Sequence, residues 1–284
     1  MINKNKIEES FFKVLMISST VIIISMLLLI ISTVIVKGLP SLNIKMITHT
    51  PKGGFYLGKE GGILNAIIGS LYLAGGATIL AMILSAPIVI YINIYLKKKS
   101  IFPVMIRFSF DVLTGVPSIV YGAFGMIIMH FLGIRASLLG GIITVGLLIL
   151  PIMCRAMDEV IKVIPEEMLE STYALGSTKL ETAIKVVFKQ TLPGILTAIL
   201  ISFGRGIGDA ASVIFTAGFS DYIPYSLFRP VATLPLAIFF QLTSPIPEVQ
   251  NRAYASALIL TLIILIISII ARMLTNRLTK YIIK

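Results

Sequence analysis

Arg205 and Asp209 stand four residues apart inside an apolar run, 191–219, that is long enough to cross a bilayer. A guanidinium at bilayer depth costs about 2.5–3.5 kcal/mol even on the lenient insertion scale, so it is expected to face a protein interior or a watery path. Wound as an α-helix, Ser202, Arg205, Asp209, Ser212 and Thr216 follow steps of three or four and share one face. Such a stripe suits an anion path, because Arg keeps its proton and its planar fork matches the oxygens of a phosphate-like group. Asp209 would temper the field, so that an anion is passed on instead of trapped. A structural use fits the same spacing: the pair could neutralise itself and lock helix packing. Arg155, at the end of another apolar run, is the second candidate. It fits the exit of such a path or a cation snorkelling to the membrane boundary.

The elements that must position these residues are membrane spans. Apolar residues make up 57% of the 284, and charged residues only 13%, against about 25% in soluble domains. Mean hydropathy is +0.98. Six stretches reach the roughly 20 residues that a 30 Å hydrocarbon core requires. They are 14–36, 63–95, 112–134, 136–154, 191–219 and 253–271. The first has no cleavage pattern behind a short apolar core and reads as a retained anchor. Pro87 is expected to kink the long second span or let it project past the headgroups. In the loop 220–252, Val231–Leu242 is apolar but too short to cross and is bounded by Pro230 and Pro245, which predicts a re-entrant or gate-lining segment. One membrane domain accounts for the chain.

Charge sets the orientation. Sixteen Lys and Arg fall in the termini and alternate loops and seven on the opposite side, so the positive-inside rule puts both termini in the cytoplasm. The formal charge of +11 does not indicate nucleic acid, since the cations are scattered and not gathered on one face with interleaved aromatics. Asp111 and Arg135 read as interfacial anchors. Cys154 is the single cysteine, and His49 and His130 lie far apart, so the chain offers no disulfide, Cys-based metal site or catalytic triad. The spans also lack the paired carboxylates or the nucleophile and base that a membrane enzyme would use.

Two nucleotide-like motifs fail on their context. Gly53–Lys59 has phosphate-loop spacing, but Glu60 follows where a hydroxyl should hold Mg²⁺, and a carboxylate there would repel a triphosphate. Gly206–Ala211 mimics a dinucleotide fingerprint inside an apolar span, without the preceding strand. Gly204 and Gly208 instead form a GxxxG pair, expected to let a neighbouring helix approach closely. No cofactor is expected on this chain.

The segment 155–190 is too patterned for a plain connector. Pro165 suits a first helical position, Glu166, Glu167 and Glu170 favour the positive helix end, and Gly176 suits a left-handed cap. A short helix over about 165–175 is predicted. Thr178 stands three before Glu181, a capping box, and Leu180, Ala183, Ile184, Val187 and Phe188 carry helical spacing into the next span. The result is a helix-turn-helix elbow projecting into the cytoplasm.

Within that elbow, Glu170-Ser171-Thr172-Tyr173-Ala174-Leu175-Gly176 resembles the coupling-loop signature of ABC importer permeases, with Ser and Thr in place of two alanines and Pro193 four residues late. Further stretches resemble the PstA-type permease family of phosphate ABC transporters. These are Glu60-Gly61-Gly62-Ile63-Leu64-Asn65-Ala66, Pro117-Ser118-Ile119-Val120-Tyr121-Gly122, Gly204–Ala210 with Phe215-Thr216-Ala217, Leu234-Pro235 and Ser244-Pro245, all within about 60–272. The resemblance implies an all-α, six-helix type I importer permease of MetI-like fold, paired with a related PstC-type permease. It also implies two copies of a PstB-type ATPase, which carry the ATP and Mg, and a PstS-type phosphate-binding protein outside. Glu170, Ser171, Thr172, Ala174 and Gly176 would dock the ATPase. In that family an Arg followed four residues later by an acid, usually Glu, accompanies transport, and Asp209 is the shorter variant. A permease for another oxyanion such as molybdate or sulfate, or a gradient-driven anion transporter, would use the same stripe; the latter would leave the elbow without a task.

Overall fold

The computed structural model describes residues 4–52, 60–97 and 100–279. The phosphate-loop-like stretch Gly53–Lys59 lies outside them. Helix α1 (Lys4–Gly38) is followed by the short α2 (Ile44–Thr48) and a two-residue antiparallel ladder of β1 (Pro51–Lys52) and β2 (Glu60–Gly61). Then come α3 (Leu64–Ile90), α4 (Ile101–Thr114), α5 (Ser118–Phe131) and α6 (Leu138–Lys162). The chain continues through α7 (Glu166–Ala174), α8 (Lys179–Glu181), α9 (Phe188–Ile207), α10 (Leu234–Leu242) and α11 (Pro247–Thr279). Among the described residues five helices are long and apolar enough to cross a membrane, or six if the bent pair α4–α5 counts as one span.

Helix α6 is the axis of the bundle. Val145, Leu148, Ile149, Met153 and Met157 recur at helical spacing, are almost fully buried, and face α3, α9 and α5. The helix runs through Lys162, two turns beyond the expected end of the 136–154 span. Helix α1 by contrast buries nothing along its apolar window and meets the bundle through Gly38, where an added Cβ would fall 2.7 Å from the Tyr254 carbonyl of α11. Its outer surface is that of a lipid-facing anchor.

The span expected at 112–134 is instead two 14-residue helices bent by 99°. The cause is Pro117, which forces Val116 out of helical geometry and caps α5. At 1.5 Å per residue each arm is about 21 Å long, short of a full crossing. The apolar stretch 231–242 becomes α10, whose Leu234, Leu236, Ala237 and Gln241 are buried against α3 and α11.

The segment 208–233 straps the far end of α6. Main-chain N–H groups of Ser137, Leu138 and Leu139 donate to the carbonyls of Thr216, Arg229 and Leu227 at 2.8–2.9 Å, so donors that a helix start leaves open are closed by this loop. Ser70 Oγ accepts from Leu234 N at 2.7 Å and Asn65 Nδ2 donates to the Ser220 carbonyl at 2.7 Å, tying the same loop to α3. Helix α7 projects at the opposite end of α6.

Candidate functional site

Helix α9 is 20 residues, about 30 Å, and ends at Ile207. The expected continuous helix over 191–219 therefore breaks after Gly208, and the five polar residues do not form one helical stripe. Three glycines in five positions, Gly204, Gly206 and Gly208, weaken the helix there. Asp209 then starts a new turn: its Oδ2 accepts from Ser212 N at 2.8 Å, an N-cap arrangement, and helical turns continue from Ile214 N to the Ala210 carbonyl and from Ala217 N to that of Val213. Arg205 accordingly sits in the last turn of α9 and not mid-helix, where the negative end of the helix dipole favours a cation.

The break nonetheless leaves Arg205, Asp209, Ser212 and Thr216 linked in series, with Ser202 outside that series. Arg205 Nη1 lies 3.4 Å from Asp209 Oδ1. Ser202, Ser212 and Thr216 are fully buried, while Thr216 Oγ1 donates to the Ser212 carbonyl at 3.0 Å. Segment 211–216 is pinned from two sides: a Cβ on Gly122 of α5 would fall 2.9 Å from the Ser212 carbonyl, and one on Gly140 of α6 would fall 3.0 Å from that of Thr216. The Oγ atoms of Ser202 and Ser212 are buried with no hydrogen-bond partner. Asp209 is 4% exposed and its cation 46%, so a buried carboxylate anchors a guanidinium that emerges on the surface of this chain. Beside it, a Cβ added to Gly204 would meet no atom within 4 Å, and one added to Gly208 would meet only the Gly204 carbonyl at 3.5 Å. Among the described residues the expected close helix approach at this glycine pair is absent: Gly208 is exposed, and Gly204 borders a cavity whose other wall is Ser268 and Arg272 of α11.

Arg155 is placed apart from that pair. Its Nε lies 3.5 Å from Asp111 Oδ1 of α4 and its Nη2 3.5 Å from Glu159 Oε1, so α4 and α6 share a half-exposed ionic cluster. Asp111, expected as an interfacial anchor, is thus a partner of Arg155. In the connection after α9, Asp221 keeps a buried, unpartnered Oδ1, and burial pushes its carboxyl pKa up.

At the other end, α7 begins after Pro165 and closes on Gly176 at φ +83°, a left-handed position that an L side chain resists. Thr178 and Glu181 form both halves of a capping box. Of the hydroxyls at the two positions where the signature has alanines, Ser171 Oγ donates to the Glu167 carbonyl at 2.6 Å, and Thr172 Oγ1 donates to that of Leu169 at 2.7 Å and also lies 3.3 Å from Thr182 Oγ1. Glu170, Ser171, Ala174 and Gly176 are exposed, and Leu175 is 86% exposed at the tip. The exposed apolar tip thus stands at the end of a short helix that Pro165 opens and Gly176 closes.

Sequence reasoning missed one cluster. Asp158 of α6, with no exposed side-chain surface, is met by Arg107 of α4, Lys162 of α6 and Asn93 of the π-turn Tyr91–Tyr95 that follows α3. Asp158 and Lys162 at (i, i+4) were the available local signal; the two other partners lie 51 and 65 residues away in sequence.

Membrane-length helices around a buried axis, an ionic pair at one end and a capped elbow at the other define an integral membrane permease subunit. Residues 92–280 match the binding-protein-dependent transport system inner membrane component family. The chain is 31% identical over 250 residues to the phosphate transport system permease protein PstA of Haemophilus influenzae, covering 85% of this chain and 84% of that one. It is 34% identical to PstA of Yersinia pestis, over 84% and 80% of the two chains, and 33% identical to PstA 1 of Mycobacterium tuberculosis strain H37Rv, over 80% and 73%. A chain of the MetNI methionine ABC transporter, solved in inward-facing conformations, has a similar fold, with TM-score 0.61 at 14% identity over 76% of this chain and 95% of that one. The chain belongs to the binding-protein-dependent inner-membrane transport components and, within them, to the PstA-type phosphate permeases.

Proposed function

We propose that this chain forms one half of the phosphate path of an ATP-driven importer, with Arg205 as the anion-contacting group. The observation that carries the reading is the asymmetry of the Arg205–Asp209 pair: the carboxylate is buried and capped, while the guanidinium stands half-exposed beside the exposed Gly208. In a membrane such a cation needs protein or water opposite it. A related permease facing Gly208 would supply the other wall. Ser202, Ser212 and Thr216 support the loop behind the pair, and Arg155 stands nearer the α7 end, suited to the exit.

Both termini and α7 lie in the cytoplasm on this reading, as the Lys and Arg distribution indicates. Two copies of a PstB-type ATPase, carrying the ATP and Mg, engage Glu170–Gly176 of this chain and the matching elbow of a PstC-type partner. Their closure draws the elbows together and turns the path inward. A PstS-type binding protein delivers phosphate outside, and this chain itself performs no covalent chemistry. Reconstitution with the neighbouring subunits in proteoliposomes tests the reading. ATP-dependent uptake of radiolabelled phosphate should be competed by arsenate and little affected by sulfate or molybdate. Uptake without ATP, or equal competition by sulfate, contradicts it.

A further inference from the structure

Asp158 is a fully buried acid that the transport path does not use. Arg107 Nε approaches its Oδ2 at 2.8 Å and Arg107 Nη2 its Oδ1 at 3.0 Å, a two-pronged clasp. Lys162 Nζ lies 2.8 Å from Oδ2, and Asn93 Nδ2 donates to Oδ1 at 2.8 Å. Asn93 is itself held, its Nδ2 donating to the Val89 carbonyl at 2.9 Å and its Oδ1 accepting from Arg107 Nη2 at 3.1 Å. One carboxylate thus joins the end of α3, the middle of α4 and the last turn of α6.

Its place in the fold gives this knot a consequence. Lys162 is the last residue of α6, three before the Pro165 cap of α7. A cavity of about 250 Å³ beside the cluster is lined by Asn93, Arg107 and Lys162, together with Leu169 of α7 and Val187 of the return arm. Thr172 Oγ1 and Thr182 Oγ1, 3.3 Å apart, tie α7 to that return arm. The cluster therefore stands at the fork where both arms of the elbow leave the bundle. Apolar contacts at such a fork can slide. A buried carboxylate held by two cations and an amide loses a short charge-assisted hydrogen bond whenever one partner shifts, and with Arg107 it loses both prongs of the clasp.

We propose that Asp158, with Arg107, Lys162 and Asn93, is the coupling latch of this subunit: positioning residues that transmit displacement of α7 to α6, α3 and α4 as one body. The inference rests on the ATP-driven reading above. Its test is the number of phosphate ions imported per ATP hydrolysed by the reconstituted complex. Arg107→Gln/Asp158→Asn removes both charges of the clasp together and leaves Lys162 with Glu159, 3.1 Å away. The double variant is expected to insert, retain the ATPase and hydrolyse ATP, with phosphate imported per ATP lowered about tenfold. A stable double variant with an unchanged ratio overturns the latch. Should the double variant be lost from the membrane, Lys162→Met, which spares the clasp, decides: a ratio lowered about threefold supports the latch and an unchanged ratio overturns it. If the unmodified complex imports no phosphate with ATP, the proposed function fails before the latch is reached.

Discussion

Asp158 and Asp209 are both buried acids beside an arginine, and they are built for opposite ends. Asp158 is saturated, with hydrogen bonds from two cations and an amide drawn from three helical segments. Asp209 spends one oxygen on capping the Ser212 turn and offers the other to a single guanidinium that stands 46% exposed. A closed knot resists displacement, whereas an open pair leaves donors for a passing anion. The difference lies in how many partners converge and from how far: Asp209 meets one cation four residues away, whereas Asp158 draws Arg107 and Asn93 from 51 and 65 residues away in sequence.

The largest change should follow from removing the open cation. Arg205→Gln keeps a polar side chain but shortens it and loses the charge; it is expected to lower phosphate uptake at least about 30-fold, with the subunit still inserted and bound to its ATPase. Radiolabelled uptake beside a co-purification assay checks it, and equal loss of assembly would move Arg205 to the structural side of the comparison. Gly176→Pro comes next, because proline cannot adopt φ +83° and the elbow would have to reorganise at a cost of about 3 kcal/mol or more. ATPase co-purification and uptake should fall together, while survival of both would separate the elbow from coupling. Smallest is Thr178→Ala, which removes the N-cap for about 1 kcal/mol. Thermal unfolding should shift down by about 2–4 °C with uptake per inserted complex nearly unchanged.

Legibility in the sequence follows the range of the interactions. The elbow was readable because its determinants are local: Pro165, Gly176 and the Thr178–Glu181 box act over three or four residues and appear as expected. The Arg205–Asp209 pair was readable as a pair, since spacing of four survives the end of α9. Its geometry was not, because hydropathy reports membrane depth and is blind to the three glycines that end the helix. The bend at Val116-Pro117 was hidden in the same way, by apolar residues on both sides of a backbone constraint. The Asp158 knot was the least legible. Asn93, Arg107 and Asp158 come from separate segments, and only packing of α4 and the end of α3 on α6 brings them within bonding distance.

The central claim is that the open face around Arg205 looks into a hydrated path and not into lipid. Gly208→Cys places a thiol at an exposed position one turn from Arg205, where an added Cβ meets only the Gly204 carbonyl at 3.5 Å, against a background in which the one native cysteine, Cys154, is buried. In the assembled complex, a membrane-impermeant thiol reagent should modify the introduced thiol, and inorganic phosphate should slow the reaction. Modification by lipid-soluble reagents alone, indifferent to phosphate, would contradict the account.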